Sequence, residues 1–303
     1  MFILVTGASG QLGRSIKSLV EKNKINHSFI FISRDQLDLS YLKSIQSYFK
    51  DHKFDLIINC AAYTKVDKAE LDEKQANLIN HLAVKKIAEI AKYNNIKLIH
   101  ISTDFVFDGL KNQPYFESDT TSPLNIYGKT KLAGEDAILS IMKSNAIIIR
   151  TSWVYSEYGN NFVDTILKLI QKGIDLNIVS DQIGTPTYAS DLGQAILNII
   201  KSDRFIAFKG ATEIYHYSNE GECSWHNFAK EIVNISGINC TINPINTEDY
   251  PTAAKRPKHV LMSKRKISKE FDLKINFWKD SLKNCMKNLQ TSSNNINNNN
   301  NNN

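Results

Sequence analysis

At 303 residues, 42% hydrophobic and 22% charged, the chain has room for one large α/β unit with a smaller appended lobe, and its composition excludes a fibrous or wholly disordered protein. The net charge of +6 suits an anionic ligand, but the 37 Lys and Arg residues are scattered along solvated helix faces, which speaks against nucleic acid as a partner. The longest apolar runs, 1–5 and 55–62, are too short to span a membrane, and neither the cysteines (Cys60, Cys223, Cys240, Cys285) nor the seven histidines show ligand or disulfide spacing, so a cytoplasmic protein with reduced thiols and no metal is expected.

An apolar strand is predicted at 2–6; no basic segment precedes it, so the mature chain is expected to begin at Met1. It runs into Gly7-Ala-Ser-Gly10-Gln11-Leu12-Gly13 and a helix at 12–21. In that setting glycines let the backbone approach a pyrophosphate, and amides at the helix start favour its charge. A side chain on Gly7 or Gly13 is expected to obstruct that approach; the plain alternative is a strand-to-helix turn that merely uses glycine. After a second strand at 29–32 comes Ser33-Arg34, where recognition of a bare ribose would require a carboxylate. The guanidinium of Arg34 suits a 2′-phosphate, so NADPH is the expected cofactor and NADH the other choice.

A helix at 42–50, a strand at 56–61, a helix at 73–92 and a strand at 98–103 follow. The last ends in Ser102-Thr103-Asp104, at the sheet edge where ligands collect. Next comes a helix at 127–143 that opens with Tyr127-Gly-Lys-Thr-Lys131, a spacing that puts tyrosine and lysine on one face. A free phenol titrates near pH ~10, and an adjacent ammonium is expected to bring it down toward neutrality, with Thr103 orienting a carbonyl oxygen. Tyr93 and Lys97 share the spacing but straddle a helix end and lack such a strand end, so they read as a decoy. A strand at 146–151 and helices at 162–171, 189–201 and 225–235 complete the pattern.

Short apolar strands alternating with helices predict an α/β fold, a doubly wound parallel sheet of the Rossmann type with a smaller C-terminal substrate-binding lobe. The expected division is a nucleotide-binding domain at 1–150, which also receives strands from 174–220, a mainly substrate-binding lobe at 151–289, and a disordered Asn-rich tail at 290–303.

These residues resemble the extended short-chain dehydrogenase/reductase superfamily, and longer strings narrow the resemblance to the dTDP-4-dehydrorhamnose reductases. The strings are 60–70 (CAAYTKVDKAE), 101–109 (ISTDFVFDG), 123–135 (PLNIYGKTKLAGE), 150–155 (RTSWVY) with 159–162 (GNNF), 181–187 (DQIGTPT) and 254–257 (AKRP), covering nearly everything to about residue 289. The resemblance implies NADPH-dependent reduction of dTDP-4-dehydro-β-L-rhamnose to dTDP-L-rhamnose, with Tyr127, Lys131 and Thr103 catalytic. It further implies that Gly7, Gly10, Gln11, Leu12, Gly13, Arg34, Asp38, Leu39, Ala61, Ala62, Tyr63, Tyr127 and Lys131 meet the cofactor, and that Thr103, Asp104, Trp153, Asn161 and Arg256 meet a nucleotide-sugar substrate. Phe105 stands where the family usually carries Tyr, which removes a hydroxyl from the substrate's surroundings. A regulatory binding protein like the methionine adenosyltransferase beta subunit, and a 4-epimerase or dehydratase on the same scaffold, are the alternatives. The sequence leaves dTDP against UDP, and monomer against homodimer, open.

Overall fold

The computed structural model describes residues 1–207 and 210–300, with side chains as far as Thr291. Six parallel strands form the central sheet: β1 Phe2–Thr6, β2 Ser28–Ile32, β3 Leu56–Asn59, β4 Lys97–Thr103, β5 Ala146–Thr151 and β6 Glu213–His216, lying side by side as β2-β1-β3-β4-β5-β6. Alternate residues serve opposite faces. Ile3, Val5, Leu56, Ile58, Ile99, Ile147 and Ile149 belong to one core, and Leu4, Ile57, Leu98 and Ile148 to the other, so both faces are buried and the strands read as unbroken apolar runs.

Helices α1 (Gln11–Asn23) and α5 (Ala189–Lys201) cover the first face together with Arg265–Phe271; α2 (Leu42–Asp51), α3 (Ala83–Tyr93) and α4 (Ile126–Ile141) cover the second. The chain steps from β1 outward to β2 and then back across to β3. The crevice between the carboxyl ends of β1 and β3 is therefore a topological switch point, where such sheets bind ligands.

Two differences from the sequence reading bear on the site. The helix expected at 73–92 is interrupted by a π turn, Leu78–Leu82, between Glu73–Asn77 and α3. The wider turn carries Asn80, which is buried and bonds the backbone of Tyr63 at both its N–H (2.8 Å) and C=O (3.0 Å), a polar role that an apolar 3.6-residue period does not reveal. Second, the region 174–220, expected to supply strands to the sheet, supplies one, β6, among the described residues, and residues 151–289 as a whole divide between sheet and lobe. They contribute β6, α5 and Arg265–Phe271 to the sheet, and return to build a lobe of paired short strands and the helices Phe162–Ile170, Trp225–Ser236 and Trp278–Asn300 around Tyr155, Ile166, Phe228, Trp278 and Leu282.

The last helix extends to Asn300, into the segment read as a disordered tail. Its start, Trp278 to Met286, is anchored in the lobe core, and extending a nucleated helix adds one backbone bond per residue fixed. Side chains beyond Thr291 and residues 301–303 lie outside the described residues.

Candidate active site

Every site residue named from the sequence lines one cavity of about 940 Å³ that crosses the carboxyl ends of the strands from β2 to β5. That volume is at the upper end of ordinary ligand sites. The decoy pair is elsewhere: Tyr93 is 90% exposed, and the Lys97 ammonium bonds the carbonyl of Ile206 at 2.9 Å.

At the switch point Gly7 has φ +67°, and a Cβ there would lie 2.8 Å from the backbone nitrogen of Ala61; a Cβ on Gly13 would collide with the carbonyl oxygen of Gly7. The protein's own backbone thus demands both glycines before any ligand does, a stricter requirement than the obstruction of a pyrophosphate foreseen from the sequence. Helix α1 starts with no side-chain cap and no acidic residue in its first turn, so its first amides are left for an anionic ligand. These features fit the diphosphate of a dinucleotide. At the β2 end Arg34 is 69% exposed, its Nε 3.5 Å from Asp38. Asp38 accepts bonds from the Ser40 hydroxyl (2.7 Å) and N–H (2.9 Å), which together with Arg34 hold its carboxyl below the usual range.

Gln11 opens α1 but bonds forward into the lobe. Its Oε1 accepts from the Ser156 hydroxyl (2.8 Å) and from Asn161 Nδ2 (3.0 Å), and its Nε2 donates to the carbonyl of Val154 at 3.4 Å. Asn161, expected at the substrate, lines the cavity while its amide serves Gln11 and Ser156 and its oxygen caps Phe162–Ile170 through the Asp164 N–H. The two ends of the cavity are thereby tied together.

Thr103 ends β4, accepts from the Phe105 N–H (3.1 Å) and donates to Asp104 (3.2 Å). Tyr127, in the first turn of α4, is within hydrogen-bonding reach of Thr103. Asn125 caps that helix through the Gly128 N–H at 2.8 Å, fixing the turn that carries the phenol. Lys131, one turn on, is 2% exposed and donates to the carbonyl of Ile101 at 2.6 Å.

The expected lowering of the phenol is not found. Burial pushes Tyr127 up to about 12, the Thr103 bond opposes this only in part, and the nearby Asp104 adds to the rise. Lys131 is itself brought down to about 8 by burial, against the pull of Glu135. Asp104, also buried, is raised to about 7. Beneath Lys131 the Glu135 carboxylate is fully buried and meets Arg150 through Nε (3.0 and 3.1 Å) and a second guanidinium nitrogen (2.6 Å), with the Ser102 hydroxyl as a further donor.

At the lobe end Trp153 adopts φ +47°, a left-handed conformation that costs an indole-bearing residue about 1–3 kcal/mol. It is held there by a bond from the Thr187 N–H to its carbonyl (3.1 Å), by stacking on Trp225 (centroids 3.6 Å, 10°), and by Gly184, where a Cβ would lie 2.7 Å from the indole. Trp225 was missed from the sequence because nothing near it marks a ligand. Phe105 meets the Tyr127 ring edge-on at 5.5 Å. Arg256 faces the same space while both oxygens of Asp67 accept from it at 2.9 and 2.7 Å. Among the described residues no cluster of metal-ligating side chains occurs, all four cysteines are free, and no helix is long and apolar enough to cross a membrane.

Comparison with known proteins finds relatives over nearly the whole chain. The family described as RmlD substrate binding domain matches residues 1–291. The chain is 38% identical over 289 residues to dTDP-4-dehydrorhamnose reductase of Aggregatibacter actinomycetemcomitans, covering 93% of this chain and 97% of that protein. It is also similar to the crystal structure of a dTDP-4-dehydrorhamnose reductase from Clostridium acetobutylicum (37% identity, TM-score 0.88, 96% of this chain and 100% of that one). A third match is the Bacillus anthracis dTDP-4-dehydrorhamnose reductase in complex with NADP (34% identity, TM-score 0.86, 95% and 99%).

Proposed function

The chain belongs to the RmlD substrate-binding-domain family, the dTDP-4-dehydrorhamnose reductases, and from that premise we propose how its own residues carry the reaction. It is an NADP-dependent oxidoreductase that reduces dTDP-4-dehydro-β-L-rhamnose to dTDP-L-rhamnose. The observation that carries the residue assignment is the convergence of Thr103, Tyr127 and Lys131 in the same cavity as the glycine turn.

NADPH supplies the hydride when bound. Tyr127 gives its proton to the oxygen of the carbon being reduced. A phenol raised to about 12 is fully protonated at neutral pH, which suits a donor, and an alkoxide is far more basic than a phenolate, so the transfer runs downhill. Thr103 orients that oxygen, and the Lys131 charge steadies the phenolate left behind. Arg34 takes the 2′-phosphate, the α1 amides take the cofactor diphosphate, Ala61, Ala62 and Tyr63 border the cofactor, and Arg256 takes the diphosphate of the sugar nucleotide. Trp153 and Trp225 offer an apolar face to the deoxysugar ring. In this reading residues 1–150 with β6, α5 and Arg265–Phe271 form the nucleotide unit, and the remainder of 151–289 the sugar lobe.

The test is Tyr127→Phe. It is expected to abolish NADPH oxidation with the keto-sugar, by at least 100-fold in kcat as for a lost general acid, while NADPH binding persists. A variant that turns over at the wild-type rate refutes the assignment.

A further inference from the structure

We infer that Thr151, to which the sequence reading gave no role, is a cofactor contact: its hydroxyl bonds the carboxamide of the nicotinamide ring and fixes which face of that ring is turned to the sugar. The inference rests on reading the cavity as an NADPH site. Thr151 ends β5 and pairs in register with Thr103 at the end of β4, so the two side chains leave the sheet on the same side, about 4.8 Å apart. It lines the cavity, is 6% exposed, and its Oγ1 is buried with no hydrogen-bond partner among the described residues.

Its neighbours along the strand ends are all engaged. Thr6 bonds Asn59, Ser102 bonds Glu135, Thr103 bonds Asp104, and Ser152 bonds the carbonyl of Thr185. A buried hydroxyl left unpaired costs about 1–3 kcal/mol, and such a group in a cavity wall is accounted for if a ligand completes it.

The sheet order says which part of the ligand. Arg34 follows β2, the glycine turn follows β1, Ala61 follows β3, Thr103 ends β4 and Thr151 ends β5. Thr151 therefore lies at the end of the cavity remote from Arg34, level with the proton-transfer residues. It belongs to the sheet-side floor, whereas Trp153 and Trp225 belong to the lobe. The one polar substituent on a nicotinamide ring is its carboxamide, which both donates and accepts, as a hydroxyl does. Oγ1 is buried in this structure, and rotation about the Cα–Cβ bond among its staggered positions is what would turn it toward the ligand.

The experiment measures equilibrium binding of NADP⁺ and of 2′-phospho-ADP-ribose, which lacks the nicotinamide, to wild type, Thr151→Val and Thr151→Ser. Thr151→Val is expected to weaken NADP⁺ roughly three- to tenfold, the worth of one neutral hydrogen bond, to leave 2′-phospho-ADP-ribose unchanged, and to melt no lower than wild type without ligand. Thr151→Ser is expected to keep wild-type affinity for both. Equal weakening of both ligands by the Val variant, an unchanged NADP⁺ affinity, or a Ser variant as weak as Val each overturns the inference. Failure of the wild type to bind NADP⁺ overturns instead the cofactor reading on which it rests.

Discussion

Replacing Arg150 by Met removes the guanidinium from a carboxylate that has nowhere else to go. Glu135 is fully buried, and three of the contacts to its oxygens, at 3.0, 3.1 and 2.6 Å, come from Arg150, with the Ser102 hydroxyl as a further donor. Breaking a buried pair from one side typically costs about 3–5 kcal/mol, because the surviving charge stays desolvated. Arg150 also packs over the Phe107 ring at 5.2 Å and reaches His216 at 3.5 Å, so the upper half of that range is expected, with a melting temperature lower by roughly 10 °C. The double variant Glu135→Met/Arg150→Met removes both charges and should recover to within about 1–2 kcal/mol of wild type, since an apolar replacement of similar volume is often neutral. Urea unfolding of wild type, both single variants and the double variant at pH 7 gives the coupling directly. A single variant costing under about 1 kcal/mol, or strictly additive losses in the double variant, refutes the reasoning.

Arg34→Asp places a carboxylate where we propose the 2′-phosphate binds and should narrow or reverse the preference for NADPH over NADH; kcat/KM for the two cofactors decides it, and an unaltered ratio removes Arg34 from the phosphate site. Lys131 falls to about 8 in the folded chain from an ordinary 10.5, so the unfolded chain binds more protons between those values and stability should rise with pH across that window, by up to about 3 kcal/mol. Lys131→Met should lose that rise; urea unfolding at pH 8 and pH 10 showing the same increment in both proteins would count against it. Gly184→Ala drives a methyl into the Trp153 indole and should raise KM for the sugar nucleotide while NADPH affinity holds, and a wild-type KM would show that the indole can yield without consequence.

Much of this site was legible before the structure because its residues are set by local rules. Each of the five strands read as an apolar run ends within two residues of its observed limit, and chemistry sits directly after those ends: Gly7 after β1, Arg34 after β2, Thr103 at the end of β4. What escaped depends on partners far away in the chain. A strand from 174–220 was expected in the sheet but not its position, because β6, Glu-Ile-Tyr-His, is half polar and becomes a strand by pairing with β5; the lobe strands of two to four residues are likewise held as pairs, such as Leu176–Val179 with Ile242–Ile245. The raised phenol was missed for the same reason. Sequence spacing put Lys131 one turn from Tyr127, but burial around both groups, which spacing does not encode, drives the phenol up and the amine down.

The bonds of Gln11 have a practical meaning for anyone grafting parts of this enzyme onto a relative. By chain order residue 11 belongs with the nucleotide half, yet it is wired to Val154, Ser156 and Asn161, and Arg14 one turn later lies over the Tyr158 ring at 4.3 Å. A chimera that exchanged the sugar lobe alone would leave Gln11 and Arg14 facing strangers. The transplantable unit is bounded by these contacts, and a workable exchange carries the start of α1 along with the lobe.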